Sequence, residues 1–120
     1  MDSVLIIDDD EATRIALQSK LEEENFLVFT AENGQEGLEK LALIPKPILI
    51  ILDLMMPIMD GWEFLEMRKK DPSVARIPVM VISSFFDQAK NIKADDFIKK
   101  PVDLNLLSEK IKKLQLHKVH

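Results

Sequence analysis

The sequence predicts an α/β fold with a doubly wound sheet of five parallel strands. Short apolar and β-branched runs alternate along the chain with segments whose apolar residues recur at helical spacing. The short runs are apolar on both faces, which is typical of strands that are covered by helices on both sides. Because strands and helices alternate, we expect right-handed crossovers that join the strands into one parallel sheet.

Five runs have the length and composition of strands, with Val, Ile, Leu or Phe at nearly every position. They are residues 4–7 (VLII), 26–29 (FLVF), 48–52 (ILIIL), 79–82 (VMVI) and the weaker 97–98 (FI). Ligands of doubly wound sheets bind outside the carboxyl ends of the strands. The residues that follow each run are therefore the candidates for a functional site.

The segments between these runs carry helix signals. Residues 10–24 place apolar side chains opposite a charged face. Capping-box pairs begin two further helices, and Asp103 precedes a last helix with one apolar stripe. The pairs are Asn33 with Glu36 and Asp60 with Glu63, and the stripe is Leu104, Leu107, Ile111 and Leu114. Residues 85–92 (FFDQAKNI) carry little of an amphipathic helical pattern.

Length and composition indicate one globular domain, since the chain has 120 residues, of which 47% are hydrophobic and 31% charged. No apolar run is long enough to cross a membrane, and the N-terminus lacks the basic segment of a signal peptide. The absence of Cys excludes disulfides and thiolate metal sites. We therefore expect a cytoplasmic protein. Residues 1–98 are acidic and only the short tail 99–120 is basic, which argues against direct nucleic-acid binding.

Acidic residues follow two of the predicted strands. Asp8 and Asp9 come after the first run, and Asp53 comes after the third. If these two strands are neighbours, three carboxylates converge, and some of their pKa values rise unless a cation is bound. Hard oxygen ligands with room for water suit Mg²⁺. An alternative remains open for the first cluster, namely that residues 8–11 (DDDE) cap the first helix and complement its dipole.

Two further polar residues follow the remaining strands. Ser83 comes after the fourth run and Lys100 after the fifth. Taken singly, Ser83 is typical of a turn and Lys100 of a solvated surface. Together with the acids, they place metal ligands, a central carboxylate, a hydroxyl and a cation at strand ends. This combination suits a phosphoryl group on Asp53, whose charge Mg²⁺ and Lys100 neutralise while Ser83 donates a hydrogen bond.

With these motifs the chain resembles the receiver domain of two-component response regulators over essentially all 120 residues. The motifs stand in the family's order, as residues 5–10 (LIIDDD), 53–61 (DLMMPIMDG), 81–84 (VISS) and 95–101 (DDFIKKP). The resemblance implies a flavodoxin-like fold with strand order 2-1-3-4-5 and a cis bond between Lys100 and Pro101. We expect residues 1–120 to form a single receiver domain without an output domain, and it is open whether they belong to a longer chain.

The resemblance also implies the roles of the acids. Asp53 is the expected phosphoacceptor, which takes a phosphoryl group from the phosphohistidine of a sensor histidine kinase or from a phosphotransfer protein. Mg²⁺ is the expected cofactor. Its implied ligands are Asp9, Asp8 chiefly through water, Asp53, and the backbone carbonyl of Met55.

The remaining implied roles concern switching. Lys100 would contact the phosphoryl oxygens, Ser83 would be the switch hydroxyl, and Phe97 would be the aromatic whose rotamer follows it. The change would be read by a downstream protein that the sequence does not name. Ser83 replaces the commoner Thr and Phe97 the commoner Tyr, and both keep the basic capability. Since Phe97 has no hydroxyl, we expect switching to rest on packing.

The chain departs from the family most clearly between the fourth and fifth strands. Residues 84–96 are shorter than usual by about a turn and a half of helix, so we expect the fourth helix to be short or absent. Phe85 and Phe86 then either contact a partner or fold inward. Met55 and Phe85 flank the phosphoacceptor and the switch hydroxyl, where neither orients water, so they predict slow self-dephosphorylation.

These residues bear on three possible classes of protein. The leading one is a phosphorylated switch that is not an enzyme on a separate substrate and catalyses only its own phosphorylation and slow dephosphorylation. The alternative is a degenerate receiver that binds partners without phosphorylation. The acid, hydroxyl and lysine set argues against it, and the short 84–96 segment keeps it open. A haloacid dehalogenase-type phosphatase is excluded, because Met55 stands where that class needs a second acid.

Overall fold

A computed structural model describes residues 1–84 and 92–118, with side chains up to residue 115. All strand pairs are parallel, and the sheet has the order β2-β1-β3-β4-β5. The strands are β1 (Ser3–Ile7), β2 (Leu27–Ala31), β3 (Leu49–Asp53), β4 (Val79–Ser83) and β5 (Asp96–Lys99). The helices within these ranges are α1 (Glu11–Glu23), α2 (Gly34–Leu43), α3 (Gly61–Lys69) and α4 (Leu104–Lys118). The predicted doubly wound, flavodoxin-like fold and strand order are confirmed.

Helices cover both faces of the sheet and bury two separate cores. On one face, Ile7 of β1 belongs to the same buried cluster as Leu41 of α2 and Phe64 of α3. On the other face, Leu17 of α1 and Ile111 of α4 lie in the second cluster. β1, β3 and β4 are buried along their whole length. This explains their continuous apolar runs, since each of their faces packs against helices.

Side-chain caps begin the helices where the sequence predicts them. The Asp10 carboxylate accepts a hydrogen bond from the Thr13 backbone N–H, which starts α1. At α3 the full capping box is present, because Asp60 and Glu63 each accept from the other's backbone N–H. At α2 the Asn33 side chain accepts from the Glu36 N–H, which is one half of the predicted capping box, and at α4 Asp103 accepts from the N–H groups of residues 105 and 106.

The ends of β3 and β4 decide where the functional side chains lie. β3 extends to Asp53 and β4 to Ser83, so both residues are the last of their strands. The register continues through them, with Asp53 opposite Ile82 and Ser83 opposite Lys99. Both residues are therefore held by the sheet and not by a loop.

Two expectations about the connection between β4 and β5 concern residues 85–91, which lie outside the described residues. These are the short or absent helix and the placement of Phe85 and Phe86. The Lys100–Pro101 bond is cis, as the resemblance implies. Within the described ranges, no helix is long and apolar enough to cross a membrane.

Candidate functional site

Strand order brings two carboxylates side by side at the carboxyl edge of the sheet. β1 and β3 are neighbours, with Ile7 opposite Leu52. Asp8 and Asp53, the residues that follow this pair, are therefore adjacent. Both are buried, with relative exposures of 0% for Asp8 and 5% for Asp53. Buried acids at this place are expensive unless they are paired or hold a cation.

A third acid completes the cluster. One carboxylate oxygen each from Asp8, Asp9 and Asp53 lies within 4.8 Å of the others, and Asp9 is the exposed member. Backbone amides orient the two buried carboxylates. The Asp10 N–H donates to Oδ1 of Asp8 at 2.8 Å, and the Leu54 N–H donates to Oδ1 of Asp53 at 2.9 Å.

The geometry divides the acidic run 8–11 between two functions. Asp10 is the residue that caps α1, through hydrogen bonds from the backbone N–H and the hydroxyl of Thr13. Asp8 and Asp9 instead face Asp53 across the strand ends. The helix-cap interpretation is therefore confirmed for Asp10, whereas Asp8 and Asp9 belong to an acid cluster that could bind a metal.

Lys100 places a cation between the two buried acids. Its Nζ lies 2.9 Å from Oδ2 of Asp8 and 3.5 Å from Oδ2 of Asp53, with the lysine side chain 18% exposed. The backbone of Lys100 is tied to the end of β4, because its N–H donates to the carbonyl of Ser83 at 3.0 Å. The chain segment after β5 thus brings a positive charge to the carboxyl ends of β1 and β3.

The close packing of these charged groups shifts the pKa values of both Asp53 and Lys100. Burial, followed by the negative charge of Asp8, raises the pKa of Asp53 to about 6, although the Lys100 charge opposes the rise. Burial by itself lowers the pKa of the Lys100 ammonium. Hydrogen bonding to Asp8 and the charges of Asp8 and Asp53 outweigh it, so the pKa of Lys100 is raised. Lys100 is therefore a permanent cation at neutral pH.

The other predicted site residues lie around this centre. Ser83 ends β4 with 1% exposure, next to Ile82, which is opposite Asp53 in the sheet. Phe97 in β5 is half-buried and packs against the core that α2 and α3 cover. The Met55 side chain, two residues after Asp53, is 49% exposed. Ser83 thus lies at the same edge of the sheet as the acid cluster, whereas Phe97 lies in β5, two residues before the end of that strand.

The donor set fits Mg²⁺. Three carboxylates present oxygen ligands within one small volume, and hard oxygen ligands with access to water are what Mg²⁺ prefers. Apart from its ion pair with Lys100, the buried Oδ2 of Asp8 has no partner among the described residues. A divalent cation would satisfy this oxygen and relieve the repulsion among the acids.

The loop between β3 and α3, which contains the implied ligand Met55, packs closely against the end of β3, a contact that was not predicted from the sequence. Gly61 donates its N–H to the carbonyl of Leu54, and a Cβ atom there would lie 2.6 Å from the carbonyl oxygen of Asp53. Gly34 at the start of α2 donates to the carbonyl of Met59 at 2.8 Å. Gly34 and Gly61 occupy the first positions of α2 and α3, and a glycine at that position is the sequence signal for close contact with the β3–α3 loop.

The protein is thus a doubly wound α/β domain with a buried, lysine-paired cluster of acids at the carboxyl edge of its sheet. The family model of the response regulator receiver domain matches residues 4–112 of this chain. The chain belongs to the response regulator receiver domain family.

Individual relatives agree with this assignment. Response regulator RR06 of Streptococcus pneumoniae serotype 2 (strain D39 / NCTC 7466) is 40% identical over 118 residues, which cover 93% of this chain and 52% of RR06. The chain therefore spans about half the length of that relative.

Solved structures of receiver domains match nearly the whole chain. A CheY-like receiver domain protein from Methanospirillum hungatei JF-1 has a TM-score of 0.83 at 31% identity, covering 98% of this chain and 97% of that one. Response regulator TrrA of Thermotoga maritima, solved in complex with Mg(2+)-BeF, has a TM-score of 0.83 at 30% identity. That similarity covers 95% of this chain and 99% of TrrA.

Proposed function

We propose that this receiver domain accepts a phosphoryl group on Asp53 and switches conformation to control a downstream protein. The donor is the phosphohistidine of a sensor histidine kinase or of a phosphotransfer protein. The observation that supports this most directly is the grouping of Asp53 with two further acids and the Lys100 ammonium at one sheet edge. Membership of the receiver family supports the same chemistry.

The reaction is an in-line displacement at phosphorus. A carboxylate oxygen of Asp53 forms a new P–O bond while the P–N bond of the phosphohistidine breaks, and the electron pair leaves with the imidazole. The domain contributes position and charge to this step. Asp53 is anchored as the last residue of β3, and Lys100 stands 3.5 Å from its Oδ2, where it neutralises charge on the transferred group.

The metal ligands of the proposal are Asp8, Asp9, Asp53 and the backbone carbonyl of Met55. The acid cluster supports the carboxylate part of this set, and the solved TrrA complex contains Mg(2+)-BeF. When bound, Mg²⁺ supplies positive charge that stabilises the oxygens of the transferred phosphoryl group.

Switching is assigned to the residues around Asp53. In the proposal, Ser83 donates its hydroxyl to the phosphoryl group and Lys100 exchanges part of its contact with Asp53 for the phosphoryl oxygens. Phe97 follows by repacking, because its ring carries no hydroxyl. These contacts exist only after phosphorylation, so they favour a second population of the domain. A downstream protein that binds this population reads the signal.

Intact-mass analysis tests the proposal. The protein is incubated with acetyl phosphate and Mg²⁺, in parallel with Asp53→Asn and with a receiver known to label. Gain of one phosphoryl group by the parent and none by Asp53→Asn is the expected result. No gain under conditions that label the known receiver would refute the phosphoacceptor function and favour the phosphorylation-independent binding module.

The lifetime of the product is a second readout. We propose that the domain catalyses only its own phosphorylation and a slow dephosphorylation, because Met55, half-exposed and two residues after Asp53, has no group that can orient water for attack. The label is expected to persist well beyond a minute after removal of acetyl phosphate in Mg²⁺ buffer. Loss within seconds would contradict the slow-dephosphorylation part alone.

A further inference from the structure

Arg14 reaches from the second turn of α1 back to the acid cluster. Its Nη1 donates to the backbone carbonyl of Asp8 at 2.8 Å, and its Nη2 lies 3.3 Å from Oε1 of Glu32. The Arg14 side chain is only 14% exposed, whereas that of Glu32 is 66% exposed. Helical side chains point toward the N-terminus of their helix, so an arginine at this position faces the end of β1.

The contact completes a set of anchors on one residue. The N–H of Asp8 donates to the carbonyl of Ala31, its Oδ1 accepts from Asp10, and its Oδ2 pairs with Lys100. Arg14 holds the remaining polar group, which is the carbonyl. This carbonyl belongs to the peptide that joins Asp8 to Asp9. The orientation of this peptide constrains ψ of Asp8 and φ of Asp9, and with them the directions in which both side chains leave the backbone.

We propose that Arg14 is a positioning residue of the Mg²⁺ site and acts by fixing the Asp8–Asp9 peptide. The inference rests on the proposed function of that site. A guanidinium suits this task because its planar fork serves two acceptors at once in a rigid geometry. Groups that orient metal ligands without touching the metal typically change metal affinity by about 10- to 100-fold when they are removed.

Charge and position make opposite predictions for this residue. Arg14 is a cation close to an acidic site, so by charge alone its removal strengthens the binding of Mg²⁺. If Arg14 instead positions the ligands, its removal weakens binding. The sign of the change in affinity therefore separates the two roles, and loss of overall stability produces neither sign in the folded protein.

The experiment is titration calorimetry of the unphosphorylated protein with MgCl₂, with urea unfolding to verify folding. Arg14→Ala is expected to weaken Mg²⁺ binding about tenfold. Arg14→Lys keeps the charge and one donor, so we expect about a threefold loss. Glu32→Gln removes only the exposed ion pair and is the matched control, expected within about twofold of the parent. Without metal, the NMR amide resonance of Asp9 should shift in Arg14→Ala and stay in place in Glu32→Gln.

The outcomes separate this inference from the proposed function. Unchanged or tighter Mg²⁺ binding by Arg14→Ala would overturn it, and so would an equal loss in Glu32→Gln. If Arg14→Ala does not fold, the comparison of Arg14→Lys with Glu32→Gln decides, and equal affinities count against positioning. No Mg²⁺ binding by the parent would overturn both the metal site and this inference. Failure of phosphoryl labelling with these affinities as expected would remove only the phosphoacceptor function.

Discussion

Asp53→Asn should stabilise the metal-free protein at alkaline pH. The substitution keeps the size of the side chain and an oxygen that can accept the 2.9 Å hydrogen bond from the Leu54 N–H. It removes a charge that is 5% exposed and stands next to the carboxylate of Asp8. Asp53 is thus a residue whose ionised form is costly to the fold in the absence of a bound metal cation.

The magnitude follows from the pKa of Asp53. Each tenfold change in proton affinity is worth about 1.4 kcal/mol, so a pKa of about 6 against an ordinary 3.8 corresponds to about 3 kcal/mol. The folded protein binds this proton more tightly than the unfolded chain does. The stabilisation is therefore complete below about pH 4 and is lost as the pH rises through about 6. Asparagine does not titrate and avoids that loss.

Urea unfolding in EDTA, at pH 8 and near pH 4, measures the difference. At pH 8 Asp53→Asn should be more stable than the parent by about 2–3 kcal/mol, and near pH 4 the two should agree within about 0.5 kcal/mol. Added Mg²⁺ should narrow the gap at pH 8, because it binds the folded parent and not the unfolded chain.

An exposed acid provides the control. Hydrogen bonds from Ser73 lower the pKa of Asp71, which is the opposite direction from Asp53. Asp71→Asn should therefore give no gain in stability at pH 8. If Asp53→Asn is no more stable than the parent at pH 8, or if its advantage is as large near pH 4, ionisation of the buried Asp53 does not cost the fold stability.

Three further substitutions test the surroundings of the site by urea unfolding in EDTA. Ile58 has a φ of 69° and an 80% exposed side chain, so Ile58→Gly should stabilise by about 1 kcal/mol by relieving backbone strain. Gly61→Ala should destabilise by about 1–3 kcal/mol, because the new Cβ would lie 2.6 Å from the Asp53 carbonyl oxygen. Lys100→Met should destabilise by about 3 kcal/mol at pH 8, since it leaves Asp8 and Asp53 without their counter-charge.

Two matched variants, at positions 58 and 99, serve as controls for these measurements. Ile58→Val keeps the branched side chain at positive φ and should give no gain. Lys99→Met removes an exposed neighbouring cation and should change stability by less than about 0.5 kcal/mol. A stable Gly61→Ala, or a Lys100→Met that matches Lys99→Met, would show that the tight loop or the buried ion pair contributes little.

Local sequence patterns were enough to predict the helices and strands and the kind of residue at each strand end. Continuous apolar runs between capped amphipathic segments are local signals, and their physical cause acts over a few residues. Asp60 with Glu63 is an example, because both partners of the capping box lie within one helical turn. The acids at the ends of β1 and β3, the hydroxyl at the end of β4 and the lysine after β5 were predicted in the same way. The residues assigned to Mg²⁺ binding and phosphoryl transfer remain predictions, which the labelling experiment tests.

Which of these groups meet, and which contacts hold them, depends on the packing of the whole fold. Lys100 pairs with Asp8, which is distant in the sequence. The parallel strands bring the carboxyl ends of β1, β3 and β5 to one edge of the sheet, and the strand order places β1 next to β3. No local sequence pattern encodes the strand order, which was predicted only from the resemblance to the receiver family. Packing likewise makes Asp10 a helix cap while Asp8 and Asp9 belong to the site. It also produces the hydrogen bond from Arg14 to the Asp8 carbonyl. Such contacts depend on the direction of side chains across elements, which periodicity and composition do not encode.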